Sequence, residues 1–185
     1  DFDVIWYMGV LETYLMRPNE QLQRLILQTR EMDLSRTNVL SPVKLPETFI
    51  GLQIRHSKSW IYNRVNIPLK DFMKRIEKDG MKSKNIFIST ENPIVIERLS
   101  NYSDYNFYYT KAKRTNENQA RAIARGDLNG KKDGLNALIN LFIMRDAGWF
   151  VGGFRSNWGR LVYEHMIGTG KLPKSVILLD KDTKA

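Results

Sequence analysis

Apolar residues crowd the start of the chain from every side: Val4, Ile5, Trp6, Tyr7, Met8, Val10, Leu11, Tyr14, Leu15 and Met16. A run of that length predicts a buried helix over residues 3–16, broken by Pro18. Asn19 is placed to cap a second helix over about residues 20–33, with Leu22, Leu25, Ile26 and Leu27 inward. Residues 34–47 are polar and hold Pro42 and Pro46, and read as loop. From there, short apolar runs alternate with helical patterns. Phe49–Arg55 reads as a strand, and Pro68 opens a helix with Phe72, Met73 and Ile76 inside that Gly80 stops. Asn85–Ser89 is a second strand, followed by a helix from Pro93 through about Leu99. Asn106–Thr110, rich in Phe and Tyr, is a third. Residues 111–130 read as a basic, polar loop or frayed helix. A strong helix over 132–146 carries Leu135, Leu138, Ile139, Leu141, Phe142 and Met144. Strand 149–153, helix 157–167 and strand Ser175–Leu179 complete the chain.

Strands alternating with helices predict an α/β fold: a Rossmann-like open parallel sheet of about five strands with helices on both faces. Residues 1–34 then form a helical lead-in from an N-terminal half outside this sequence, and residues 48–185 the Rossmann-like domain. Such sheets bind ligands at the carboxyl ends of their strands. Arg55 and His56, Thr90 and Glu91, and Arg155 and Ser156 all fall at such ends. The stretch Gly148–Glu164 concentrates the chemistry. An apolar strand, the pair Gly152-Gly153, an N-cap at Ser156 or Asn157 and a helix from Trp158 aim backbone N–H groups and the positive helix end at one spot. That spot suits an anion, with Arg155 and Arg160 beside it.

Composition narrows the partners. The 185 residues hold 42% hydrophobic and 26% charged residues, which describes a globular chain with a core. No apolar run reaches the length of about 18–20 residues that spans a bilayer. There are no cysteines, so thiolate chemistry and disulfides are excluded, and the two histidines, His56 and His165, lie too far apart in sequence to favour a histidine metal site. A formal net charge of +9 favours anionic partners. The basic residues are spread over several loops instead of one stripe, which counts against nucleic acid. Neither GxGxxG nor GxxxxGK[ST] occurs.

Four segments together resemble a known family. Tyr14-Leu15-Met16-Arg17-Pro18, Phe49-Ile50-Gly51-Leu52-Gln53-Ile54-Arg55-His56, Phe87-Ile88-Ser89-Thr90-Glu91-Asn92-Pro93 and Phe150 through Glu164 resemble, in order and spacing, motifs of the α1,6-fucosyltransferases. These are GT-B-type glycosyltransferases related to the protein O-fucosyltransferases and nodulation fucosyltransferases. The resemblance runs from about residue 6 to 168. It implies that this chain is the C-terminal, donor-binding domain of a metal-independent inverting transferase that uses no cofactor. The donor implied is GDP-fucose, the acceptor a glycan, and the compartment the Golgi or secretory lumen. By the same resemblance Arg55 holds the β-phosphate, Ser156 at the helix start binds diphosphate, and Asn140 falls where the family has an aspartate that reads guanine. His56, Thr90, Arg155, Asn157 and Arg160 complete the candidate donor site, and Arg55 and Glu91 are the candidate catalytic pair.

The departures keep a second reading open. The family's strand histidine is Gln53, its second arginine is His56, and the Asp-Lys that follows is Lys58-Ser59. The acidic pair is Glu91-Asn92, and the position proposed for the family's base falls near Asn63. Two cysteines flanking the last motif are Gly152 and Gly159. Such clustering also fits a catalytically inactive domain that serves as a structural or partner-binding subunit. Asn140 bears on the base, because a carboxylate accepts from both guanine N1–H and N2–H₂, whereas an amide offers one acceptor oxygen and a donor NH₂.

Overall fold

The computed structural model describes residues 2–37, 39–56, 67–153, 156–171 and 173–179. The chain opens with helices α1 (Phe2–Leu15) and α2 (Glu20–Met32), then strands β1 (Leu34–Arg36), β2 (Val39–Val43) and β3 (Ile50–Ile54). Helix α3 (Leu69–Lys78), strand β4 (Asn85–Thr90) and helix α4 (Pro93–Glu97) follow, the last running into a 3-10 turn at Arg98–Asn101. Then come β5 (Asn106–Thr110), α5 (Gln119–Ala124), α6 (Gly130–Arg145), β6 (Trp149–Gly152), α7 (Asn157–Gly168) and β7 (Val176–Leu178).

The sheet has the order β2-β1-β5-β4-β3-β6-β7. The five strands expected from the apolar runs form its parallel part, β5-β4-β3-β6-β7, and Leu52 at the centre pairs with Ile88 on one side and Val151 on the other. The chain builds outward from β3 through β4 to β5, then returns across β3 to β6. The switch point of this Rossmann-type sheet therefore lies between β3 and β6.

The pleat sorts the strands onto two faces. Ile50, Leu52, Ile54, Ile86, Ile88 and Phe107 pack with Phe72, Met73 and Ile76 of α3 and Val95 of α4. Phe49, Phe87 and Tyr108 point the other way, against α6 and α7. Gly51 faces Ala147, and a Cβ there would stand 3.1 Å from the alanine methyl, so the glycine lets the segment after α6 lie close on β3.

Two expectations are corrected. Residues 34–47 are not all loop: β1 and β2 pair antiparallel, and β1 extends the sheet beside β5, with Leu34 wholly buried. Pro42 falls in β2, an edge strand, the place in a sheet where proline is tolerated. Helix α1 is not buried all round. It lies along α7, where Gly9 and Gly168 bring the backbones into contact; a Cβ at Gly9 would strike the carbonyl oxygen of Glu164, and one at Gly168 that of Gly9. The rest of its apolar surface is open, with Tyr14 and Leu15 each 70% exposed. Among the described residues no helix is long and apolar enough to cross a membrane.

Candidate functional site

The alternation that buries Phe49 places Gln53 on the same face of β3, and the same parity puts Ser89 on β4 and Thr110 on β5 toward α6. Just beyond the strand ends, on that face, lies a cavity of about 230 Å³. Gln53 lines it from β3 and Arg55 from just past its end, Ser89 and Thr90 from β4 and Glu91 from just past its end, and Lys113 and Arg114 from the segment after β5. Helix α6 supplies Asp133, Asn136 and Asn140, spaced to share one helical face, and α7 supplies Trp158.

Of the residues expected from sequence, Arg55, Thr90, Glu91 and Asn140 therefore meet in one cavity. Arg55 is exposed at its rim, while Asn140 is 8% exposed at its floor. One oxygen of Glu91 accepts the His56 backbone N–H at 3.0 Å, tying the end of β4 to the end of β3. Burial pushes the Glu91 carboxyl above its ordinary range, and the charge of Arg55 and the bond from His56 partly offset this. Thr90 Oγ1 accepts from the Asn92 N–H at 3.2 Å, and Asn92 in turn caps α4.

The other expected residues are placed differently. The His56 ring does not line the cavity; its Nε2 sits 2.6 Å from the carbonyl of Ile67, just before α3. Ser156 is buried behind the wall, where its hydroxyl caps α7 and lies 3.5 Å from Gln53 Nε2, joining β3 to the start of that helix. Asn157 and Arg160 are exposed on α7, where Arg160 Nη2 reaches Asn157 Oδ1 at 3.4 Å and its Nε stands 3.9 Å from Glu164. Neither Asn157 nor Arg160 lines the cavity. Arg155, Lys58, Ser59 and Asn63 lie outside the described residues.

Residues that sequence reasoning missed complete the site. Arg114 donates from Nε to Thr90 O at 3.1 Å, from Nη1 to Ala112 O at 3.0 Å and from Nη2 to Thr110 O at 2.9 Å, and its guanidinium lies 5.4 Å from the Tyr109 ring centre. Those partners are all neutral carbonyls, so this half-buried cation has no carboxylate partner among the described residues, and burial lowers its proton affinity. Gln119 Nε2 donates to both oxygens of Asp133, at 3.2 and 3.4 Å. Burial raises the Asp133 carboxyl, and the Gln119 bond opposes that shift. Gln53 is 3% exposed, and its Oε1 has no hydrogen-bond partner among the described residues. The polar positions of α6 that interrupt its apolar pattern were the available signal for Asp133 and Asn136.

Gly152 and Gly159, where the resembling family has cysteines, leave no room for side chains. A Cβ at Gly152 would lie 2.8 Å from the Phe150 ring, and one at Gly159 would lie 2.9 Å from Gln53 Oε1. Among the described residues no group of three His, Cys, Asp or Glu side chains is placed to hold a metal ion.

No protein-family model matches the chain, and no curated protein matches it. Solved structures do. The crystal structure of POFUT1 in complex with GDP superposes over 92% of this chain and 50% of its own, with a TM-score of 0.57 and 12% identity. POFUT1 in complex with GDP-fucose superposes over 92% and 48%, at a TM-score of 0.56 and 13% identity. The chain thus spans about half the length of the structures it matches. At that identity the likeness is one of fold: the chain has a fucosyltransferase-like, GT-B-type Rossmann architecture.

Proposed function

We propose that this chain is the donor-binding half of a metal-independent inverting glycosyltransferase of the α1,6-fucosyltransferase kind, with GDP-fucose as donor and a glycan hydroxyl as acceptor. The observation that carries this is one cavity at the carboxyl edge of a Rossmann-type sheet, which joins Arg55 and Arg114 to the amides Gln53 and Asn140 and the carboxylate Glu91. Arg55 at the rim suits the diphosphate, since a guanidinium makes charge-assisted, paired contacts to phosphate oxygens. The buried Asn140 amide suits the edge of a base.

In the transfer, the acceptor oxygen forms a bond to the anomeric carbon as the bond to the β-phosphate oxygen breaks, with inversion. Glu91 takes the acceptor's proton, and Arg55 stabilises the charge that gathers on the departing diphosphate. The raised proton affinity of Glu91 suits a base. The acceptor occupies the other half of the transferase.

A second reading has its own observation. One oxygen of Glu91 is committed to the His56 backbone, which makes Glu91 a clamp between strand ends and favours an inactive domain that serves as a structural or partner-binding subunit. Calorimetry with GDP, UDP and ADP on the full-length protein tests the first reading, together with transfer assays from GDP-fucose to glycans. No heat with any nucleotide from folded protein would overturn it; heat without transfer would support the inactive domain.

A further inference from the structure

We propose that Asp133 receives the ribose hydroxyls of the bound nucleotide and makes the cavity select ribonucleotides over 2′-deoxynucleotides. This rests on the reading of the cavity as a nucleotide site.

The cavity is graded in what it offers. At its floor, Asn140 has its Oδ1 engaged by the Thr110 hydroxyl at 3.1 Å and keeps its Nδ2 as the free group. Gln53, 3% exposed, lines the cavity but turns its amide to the start of α7, where Nε2 donates to Ser156 Oγ and Oε1 lies against Gly159. A spare amide donor at the floor suits a ligand edge carrying an acceptor, as a nucleobase does. At the rim stands Arg55, a cation for the phosphates.

Asp133 lies on the same face of α6 as Asn140 but seven residues nearer its start, about 10 Å along the helix axis. That is about the distance from the far edge of a base to the hydroxyls of its ribose. No cation among the described residues pairs with it. Its one hydrogen-bond partner among the described residues, Gln119, bonds both carboxylate oxygens and leaves each with a lone pair to spare. An ionised carboxylate only accepts, so its ligand must present donors, and a phosphate is excluded by charge. The hydrogen-bonding edge of the base lies at Asn140, a base length away from Asp133. The vicinal diol of a ribose offers two O–H groups on adjacent carbons, which matches two carboxylate oxygens, and acidic side chains take ribose hydroxyls in other Rossmann-type sites. A purely structural Asp133 would only favour the α6 N-terminus and hold Gln119.

The test is calorimetry on the full-length protein with GDP against 2′-deoxy-GDP, and UDP against 2′-deoxy-UDP. Hydrogen bonds to a charged group lead us to expect about tenfold tighter binding of the ribonucleotide in each pair that binds. Asp133→Asn, near-identical in shape, should bind both members of a pair alike, at about the deoxy level, while keeping its circular dichroism spectrum. Equal affinity for ribo and deoxy forms in the wild type would overturn the inference alone, as would a ratio that survives in Asp133→Asn. A folded protein that binds none of the four nucleotides would overturn the nucleotide reading itself.

Discussion

The hydroxyl of Thr110 donates to Oδ1 of Asn140 at 3.1 Å, and both side chains are buried beneath the cavity floor that Asn140 forms. This bond turns the amide so that its NH₂ is the group left for a ligand. An Nδ2 donor meets guanine at O6 and leaves N2–H₂ without the acceptor a carboxylate would supply. Asn140→Asp keeps the Thr110 bond and restores that acceptor. We expect its preference for GDP over UDP and ADP to rise about tenfold, the worth of one charge-assisted hydrogen bond. Calorimetry with the three nucleotides measures the ratio, and an unchanged ratio would show that Asn140 does not touch the base.

The two arginines of the cavity should separate binding from stability. Arg55 is exposed, so Arg55→Ala should leave the melting temperature nearly unchanged and weaken nucleoside diphosphate binding by roughly tenfold to a hundredfold. Arg114 ties three carbonyls at and just past the strand ends, and Arg114→Met removes its donors from all three, leaving Thr110 O only the Ala112 N–H. That variant should lose about 1–3 kcal/mol of stability as well as affinity. Denaturant melts and calorimetry on both variants check the contrast; a destabilised Arg55→Ala or a fully stable Arg114→Met would contradict these roles.

The parallel part of the sheet was legible because each of its strands centres on a short apolar run between turn residues, as at Phe107-Tyr108-Tyr109 within Asn106–Thr110. Strand β1 was not, since three residues around Leu34 carry no period, and Pro42 disguises β2. Helix α1 misled because apolar content predicts burial only when a partner surface exists, and Tyr14 and Leu15 have none among the described residues. At the site, the strand ends announced Arg55, Thr90 and Glu91. What sequence could not supply is side-chain direction: His56 turns to the Ile67 carbonyl, and Arg160 follows the surface of α7. Arg114 and Gln119 sit in a stretch without hydropathic period, and only the fold carries them to α6.

The contact of α1 with α7 should be sensitive to added volume. Gly168→Ala drives a methyl group into the Gly9 carbonyl and toward the Thr13 hydroxyl, which lies 2.6 Å from the position it would take. Backbone must move to accept it, at a cost of about 1–3 kcal/mol. Proteolysis near Tyr14, in the exposed part of α1, should quicken in parallel as the helix loosens. A variant with unchanged melting and unchanged cleavage would mean that α1 does not hold its place through these glycines.

Half-buried Glu12 and buried His165, near that contact, should give the fold opposed pH dependences. Glu12 on α1 faces Glu164 on α7; burial first, and then the Glu164 carboxylate, raises the Glu12 carboxyl from 4.5 to about 7. The folded protein therefore holds this proton where the unfolded chain has lost it. That contribution is complete below about 4.5 and is lost as pH rises through about 7. His165 on α7 is 1% exposed, neither ring nitrogen has a partner among the described residues, and its ring stacks edge-on to Phe142. Burial, with the charge of Arg145, lowers it from 6.5 to about 4, so its contribution is complete above about 6.5 and is lost as pH falls toward 4. Between these limits the two nearly cancel. Glu12→Gln should unmask the histidine, so that its melting temperature falls relative to wild type on acidification from pH 7 to pH 5. His165→Leu should unmask the carboxyl and rise relative to wild type over the same interval. Thermal melts in half-unit steps settle it: two variants whose profiles run parallel to the wild type would show that neither group changes its protonation on folding.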